Sequence, residues 1–319
     1  MVRYGRATQR YPKGPKYPKG PKNPMTDISP LAEIHSSARV DRSASVGPFC
    51  ILGPGAELAA GVRLAGRVSL AGRVTVGGGS RLACGVTAGE QAPPADAEAD
   101  HELNGGEITP LFLGPGREPA VVIGDDVRVA AAAVIYRPRD ENQITVIGDG
   151  GDIGPHAMIG PGCRLGAAVT VRHAATLSSD VHVAAYARLG AHAVVAPGVC
   201  IGESANIEPH SYVTQDVPPF AVAGGRPTRI KGIDRPRLAR LGMDDRVITE
   251  LEDAFLMIYQ ARLEIDAARE LLRKRDMLAP AVNQFLMFLE RLAERGERTA
   301  PAIPQNFNTV PSGVERKAA

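Results

Sequence analysis

One interval recurs among the seven histidines of this 319-residue chain. His210 follows His192 at the same interval at which His192 follows Ala174 and Ala174 follows His156. A second series at that interval joins Arg164, His182 and Cys200, with Asp180 two residues ahead of His182. Imidazole exchanges protons near neutral pH and is a common zinc ligand. The first series therefore reads as a displaced catalytic site, as a metal site shared between subunits, or more plainly as exposed turn residues with no common task. Asp180 and His182 carry a different signal. A carboxylate beside an imidazole orients it and raises its basicity, which is what a general base needs. The plain alternative is a surface histidine paired to an acid.

The interval has meaning only if the chain coils with that period, and the aliphatic residues say that it does. Every sixth residue from Ile147 to Val213 is Ile, Leu or Val: Ile147, Ile153, Ile159, Leu165, Val171, Leu177, Val183, Leu189, Val195, Ile201, Ile207 and Val213. Two residues before each stands a small or β-branched residue, such as Ala157, Cys163, Val169 or Ala175, and glycine often follows, as at Gly154, Gly160, Gly166 and Gly190. A period of six fits neither an amphipathic helix nor an alternating strand. It is the signature of a parallel β-helix, in which three hexads close one triangular coil and coils stack about 4.8 Å apart. Side chains three hexads apart then lie one above another, and three hexads is the interval of both series. Glycine after the aliphatic is expected to relax the turn.

The same phase starts at Ile34 and runs through Val40, Val46, Leu52, Leu58, Leu64, Leu70 and Val76 to Leu82. It breaks between Thr87 and Pro119 in an acidic stretch rich in Pro and Gly, which a solenoid would eject as a loop over 88–119. It resumes at Ile123, Val129 and Ile135, then meets Glu141, which does not suit an aliphatic core, so Tyr136–Gln143 is expected to bulge outward. In all, 24 hexads make about eight coils. The ladder is expected to stop at Pro218-Pro219. Beyond Gly232 the period becomes helical, with Asp244 or Asp245 capping a helix that carries Ile248, Leu251, Phe255 and Ile258 on one face. Two more helices are expected, over Leu263–Lys274 and after Pro280, together covering the open end of the solenoid. The division is thus a basic, disordered tail over 1–27, a β-helix over 28–232, a helical domain over 233–295 and a loose tail over 296–319.

Composition narrows the function. Aromatics are 4% and tryptophan is absent, as suits a core of aliphatic hexads. Residues 1–24 hold seven Lys and Arg and no acid, with YPKGPK written twice. The whole chain is +2, so the remainder carries −5 and basic charge does not describe the folded part. The tail could touch nucleic acid or anionic lipid; a solvated extension, or an upstream start before Met25, is the plainer reading. The folded part is expected to bind no nucleic acid. No apolar run is long enough to span a bilayer, so membrane insertion is not expected, and the four cysteines lack metal spacing. A reduced, cytoplasmic protein without a metal or other cofactor is the expectation.

Several stretches together resemble one family. These are the early GPFCILGP of Gly47–Pro54, the β-helix running into QDVPPFAVAGGRPTRIKGID of Gln215–Asp234, the RLARLGM of Arg237–Met243 and the helix ending Phe255–Tyr259. From about Ile28 to Leu292 the chain is similar to the acyl-carrier-protein-dependent UDP-N-acetylglucosamine O-acyltransferases that begin lipid A synthesis. The resemblance implies a left-handed β-helix with a C-terminal α-helical domain, assembled as a homotrimer. It implies transfer of a (hydroxy)acyl group from an acyl-carrier-protein thioester, the co-substrate, to a UDP-sugar hydroxyl, in clefts between subunits. The family's base is a histidine two residues after an inward aliphatic; here Ile159 is followed in that place by Pro161. A second family histidine corresponds to Asp180 and a third to Ala196, while the sugar-binding Gln-Asp has no counterpart after Gly89-Glu90. Of the basic pair that contacts nucleotide or carrier protein, Arg240 is kept and the next residue is Leu241. His182, supported by Asp180, lies nearest the family's cleft and is the expected replacement base, with the column His156, His192 and His210 as the alternative. Two function classes follow: an acyltransferase with a relocated base, or a non-catalytic trimeric paralogue kept as a binding or regulatory scaffold. A metal-dependent trimeric hydratase of the γ-carbonic-anhydrase kind is a third, which the helical C-terminus argues against.

Overall fold

The computed structural model describes residues 27–93, 120–140 and 143–294. Expectations for the two tails, and for most of the 88–119 loop, fall outside the described residues. The hexads form short strands, mostly of two residues, that wind into a left-handed parallel β-helix. Its three faces are sheets of eleven, nine and eight strands. Neighbouring strands within a face are parallel, the last pair of the eleven-stranded face excepted, and usually one coil apart, as in Thr170–Val171 between Asp152–Ile153 and Arg188–Leu189.

In most of the two-residue strands the second residue points inward and the first outward. Ile153, Ile159, Leu165, Leu177 and Leu189 are fully buried, and the small residues Ala157, Cys163, Val169 and Ala175 fill the space between them. Burial of this continuous aliphatic column drives the fold, at about 25 cal/mol for each Å² of apolar surface removed from water. The corners have a division of labour finer than the sequence indicated. Glycine directly after the aliphatic answers closeness: a Cβ on Gly160 would lie 2.4 Å from the carbonyl oxygen of Ser178 on the next coil. The left-handed backbone falls two residues further on, and non-glycine residues often hold it: His156, Ala168, Ala174, Asp180, Tyr186, His192 and His210 all have φ between 51° and 60°.

The interruptions differ from expectation at their edges. A strand continues through Thr87–Gln91 before the chain leaves the coil, and Val134–Arg137 pairs beside it beyond the corner, with Glu90 opposite Tyr136 and Gln91 opposite Arg137. Tyr136 and Arg137 therefore stay in the sheet rather than bulging, because the two excursions support each other. Arg137 also donates to Gln91 Oε1 at 3.3 Å.

The ladder does not stop at Pro218-Pro219. The prolines occupy a corner between Val217, which bridges Ile201, and Ala221–Gly224, which pairs with Asn206–Ile207 on the eleven-stranded face. Arg229–Ile233 then turns back antiparallel and finishes that sheet. Burial of Val217, Phe220, Ala221, Ala223 and Ile230 supplies the reason for continuing past two residues that cannot donate.

Four helices follow: α1 (Arg235–Arg240), α2 (Asp245–Phe255), α3 (Ile265–Lys274) and α4 (Pro280–Glu294). The short α1 was not foreseen; Asp234 caps it and Pro236 sits in its first turn. Asp244, rather than Asp245, caps α2 by accepting from the Arg246 amide at 2.8 Å. Ile258 lies beyond α2 in a π-helical turn, Leu256–Gln260, and Leu263 precedes α3. Arg235 on α1 holds Glu252 and Thr249 of α2, and Gln284 on α4 donates to Glu203 on the solenoid at 2.9 Å. Glu250, buried on α2, accepts from Arg246 Nε and from the Ala279 amide, both at 3.0 Å, and so fixes the start of α4 against α2.

Candidate active site

The corner where the resemblance places a base is closed. Pro161 and Gly162 are buried there. The Gly162 amide donates to Thr145 Oγ1 at 3.0 Å, and that hydroxyl donates to the Tyr136 carbonyl at 2.8 Å. The Pro161 carbonyl accepts from the Asp180 amide at 2.8 Å. Asp180 is exposed at the corner above, in left-handed conformation with φ 58°. His182 points outward from the eight-stranded face, between Arg164 and Cys200. Among the described residues no hydrogen bond joins Asp180 to His182. Ala196 is half-buried, and Arg240 is exposed at the end of α1 with its Nε donating to the Pro236 carbonyl at 3.1 Å.

The opposite edge of the nine-stranded face is where imidazoles meet. His156, His192 and His210 share one corner column, with Ala174 in the gap. The rings of His192 and His210 stack, with centroids 5.0 Å apart and planes 6° from parallel. A third ring joins them from outside the column: His173 approaches His192 edge-on at 4.9 Å and 86°. The array in space is therefore His173, His192 and His210. Among the described residues no group of three or more His, Cys, Asp or Glu side chains is placed to hold a metal ion.

His173 opens onto a groove of about 630 Å³ along the eleven-stranded face. The polar wall is Asp152, Arg172, His173, Arg188, Asn206 and Glu208; Ala130, Pro155, Ala191 and Pro209 make an apolar side. Strand register explains the wall, since Asp152, Thr170, Arg188 and Asn206 are successive outward positions of one face. Helix α1 adds to the positive charge. Arg237 reaches back to donate to the Ser204 carbonyl at 2.7 Å and to that of Tyr186. Burial holds its guanidinium below the usual arginine range; Asp234 pulls the other way, while Arg188 and Arg240 repel it. Asn206 Nδ2 donates to Asp234 at 2.7 Å, so the groove wall and the α1 cap are one construction. Lys231 pairs with Glu208, leaving the carboxylate engaged at the groove's rim.

Comparison with known proteins bears on both parts of the chain. Residues 216–297 match the family model for domain 2 of UDP N-acetylglucosamine O-acyltransferase. The enzyme named acyl-[acyl-carrier-protein]–UDP-N-acetylglucosamine O-acyltransferase from Synechocystis is 32% identical over 91 residues, 28% of this chain and 33% of that protein. The protein of the same name from Thermodesulfovibrio yellowstonii is 31% identical over 80 residues, 25% of this chain and 31% of that one. The match thus spans about a third of the curated relatives' length. In structure, the UDP-N-acetylglucosamine acyltransferase of Francisella novicida superposes with a TM-score of 0.73 over 88% of this chain and 95% of the other, at 21% identity. The Arabidopsis enzyme gives 0.69 over 86% and 99%, also at 21%. The chain is similar to the UDP-N-acetylglucosamine O-acyltransferases, in sequence at its C-terminal end and in fold along most of its length.

Sequence reasoning did not single out His173, Arg172, Arg188 or Arg237. Counting by whole coils would have put Arg188 beside Asp152 and Asn206, but His173 stands one residue off the histidine column and its ring contact is invisible to that count. Arg237 carries no solenoid signal, because it reaches the Ser204 and Tyr186 carbonyls from α1.

Proposed function

We propose that this protein is an acyltransferase moving an acyl group from an acyl-carrier-protein thioester to a hydroxyl of a UDP-N-acetylglucosamine-type sugar, the first step of lipid A assembly. The observation that carries this reading is the groove, which combines cationic and apolar walls on the face where α1 docks. Arg172 and Arg188, with Arg237 behind, offer guanidinium donors suited to a diphosphate. The alanine and proline side suits an acyl chain. Acyl transfer of this kind needs no cofactor: a base takes the hydroxyl proton, the alkoxide attacks the thioester carbonyl and the thiol leaves.

A homotrimer belongs to the same reading. The outward positions of the nine-stranded face, from Ile51 through Ser69, Thr87, Val134, Met158, Thr176 and Val194 to Tyr212, are all uncharged, and Ile51, Met158 and Tyr212 are large exposed hydrophobics. Such a face suits burial against another copy.

A second reading, a trimeric scaffold without catalysis, is favoured by the closed corner at Pro161. Incubating the purified protein with hydroxyacyl-acyl-carrier protein and UDP-N-acetylglucosamine, with mass-spectrometric detection of the acylated sugar, separates the two. The acyltransferase forms product in proportion to enzyme. Saturable binding of UDP-N-acetylglucosamine without product establishes the scaffold instead.

A further inference from the structure

We propose that His173 is the group that takes the sugar hydroxyl's proton, with His192 and His210 stacked behind it as positioning residues. This rests on the acyl-transfer reading and gives that reaction a base at a corner other than the one held by Pro161. Three observations place it there. Among the described residues that line the groove, His173 is the one imidazole, and it stands beside Arg172 on the wall that also carries Arg188. Its ring is fixed rather than loose, because His192 lies against it at a right angle and is in turn stacked on His210. The backbone repeats the tie, with the His192 amide donating to the His173 carbonyl at 3.0 Å. His182, by contrast, stands on a different face and does not line the groove.

The chemistry balances without a further reactant. The imidazole removes the proton as the sugar oxygen attacks the thioester carbonyl carbon. The carbon–sulfur bond then breaks, and the imidazolium returns the proton to the departing thiolate, giving ester and thiol. The cations Arg172 and Arg188 and the anions Asp152 and Glu208 line the same groove as the ring, with Lys231 paired to Glu208.

The test uses the full chain and the acyl-transfer assay. His173→Gln is expected to lower kcat about 10²–10⁴-fold, with little change in KM for UDP-N-acetylglucosamine, and to abolish the acidic limb of the pH–rate profile. His192→Phe, which keeps a ring against His173, is expected to retain more activity than His192→Ala while moving that limb; a merely structural role would leave the limb in place. His173 is exposed at a corner, so its variant should keep the wild-type melting temperature, which circular dichroism checks. An active wild type with His173→Gln within about threefold of it overturns the proposal and spares the acyltransferase reading. So does a large loss in His182→Gln with none in His173→Gln. A wild type inactive with every acyl donor overturns both.

Discussion

Asp234 joins the solenoid to the helix that carries Arg237, and its removal has a calculable effect. One carboxylate oxygen accepts from the Arg237 amide at 3.2 Å, capping α1; the other accepts from Asn206 Nδ2 at 2.7 Å. Losing an N-cap costs about 1 kcal/mol. Losing a hydrogen bond to a charged acceptor costs about 1.5–3 kcal/mol, taken at the low end because both groups are partly exposed. Asp234→Ala should therefore destabilise the docking of α1 by about 2–3 kcal/mol. Asp234→Asn keeps one acceptor oxygen, enough for the cap, but sets an NH2 where the second oxygen accepted from Asn206, so it should cost about 1.5 kcal/mol. Hydrogen exchange of the α1 amides, read beside urea unfolding, measures the loss where it occurs. A double-mutant cycle with Asn206→Ala isolates the shared bond, which should appear as a coupling of about 1–2 kcal/mol. If the two single changes add to within about 0.3 kcal/mol, the bond does not hold the helix and the reasoning fails.

Two further outcomes can be checked on the scaffold. A Cβ on Gly89, at φ +86°, would meet the Ala71 carbonyl oxygen at 1.9 Å, whereas one on Gly150, at φ +68°, meets nothing within 4 Å. Gly89→Ala should thus lower stability by about 3 kcal/mol or more and Gly150→Ala by about 1–2, and equal melting temperatures for the two variants would refute the contrast. Cys84 is exposed, while Cys163 is buried with its thiol donating to the Ser178 carbonyl at 2.9 Å and pushed up to about 12 by burial. Iodoacetamide at pH 8 should label Cys84 quickly and reach Cys163 only after unfolding; mass spectrometry of the native protein showing rapid labelling at Cys163 would contradict its placement.

The solenoid was legible because its rule is local and repeated. One inward aliphatic every sixth residue fixes strand, face and register together, so Leu165 and Val183 could be placed without any distant contact. Where the rule gave way to a single arrangement, reading failed. Proline's missing donor argued for an end at Pro218-Pro219, yet it falls where the chain turns and needs none, so two more strands follow, paired as a hairpin. The breaks after Thr87 and Ile135 were legible as breaks, but not as partners, since Glu90 and Tyr136 meet across the whole intervening excursion, outside any hexad. The same limit governed the site. Asp180 and His182 were near in sequence, but Asp180 stands at the corner while His182 projects from the face beyond it, and among the described residues no hydrogen bond joins them. His173 and His192 lie on adjacent coils one residue out of the coil interval, so their ring contact could not be read from it.

Parallel stacking of each strand on its counterpart one coil away has a consequence for how such a protein changes length. Each coil touches only the coils above and below it, so one more or one fewer alters no other contact in kind. The groove runs along a column of these coils, from Ala130 to Pro209. Duplication or deletion of a single three-hexad unit would therefore lengthen or shorten it by about 4.8 Å while every corner kept its chemistry. Reach along the axis and reactivity at the edge are separately adjustable properties of this architecture.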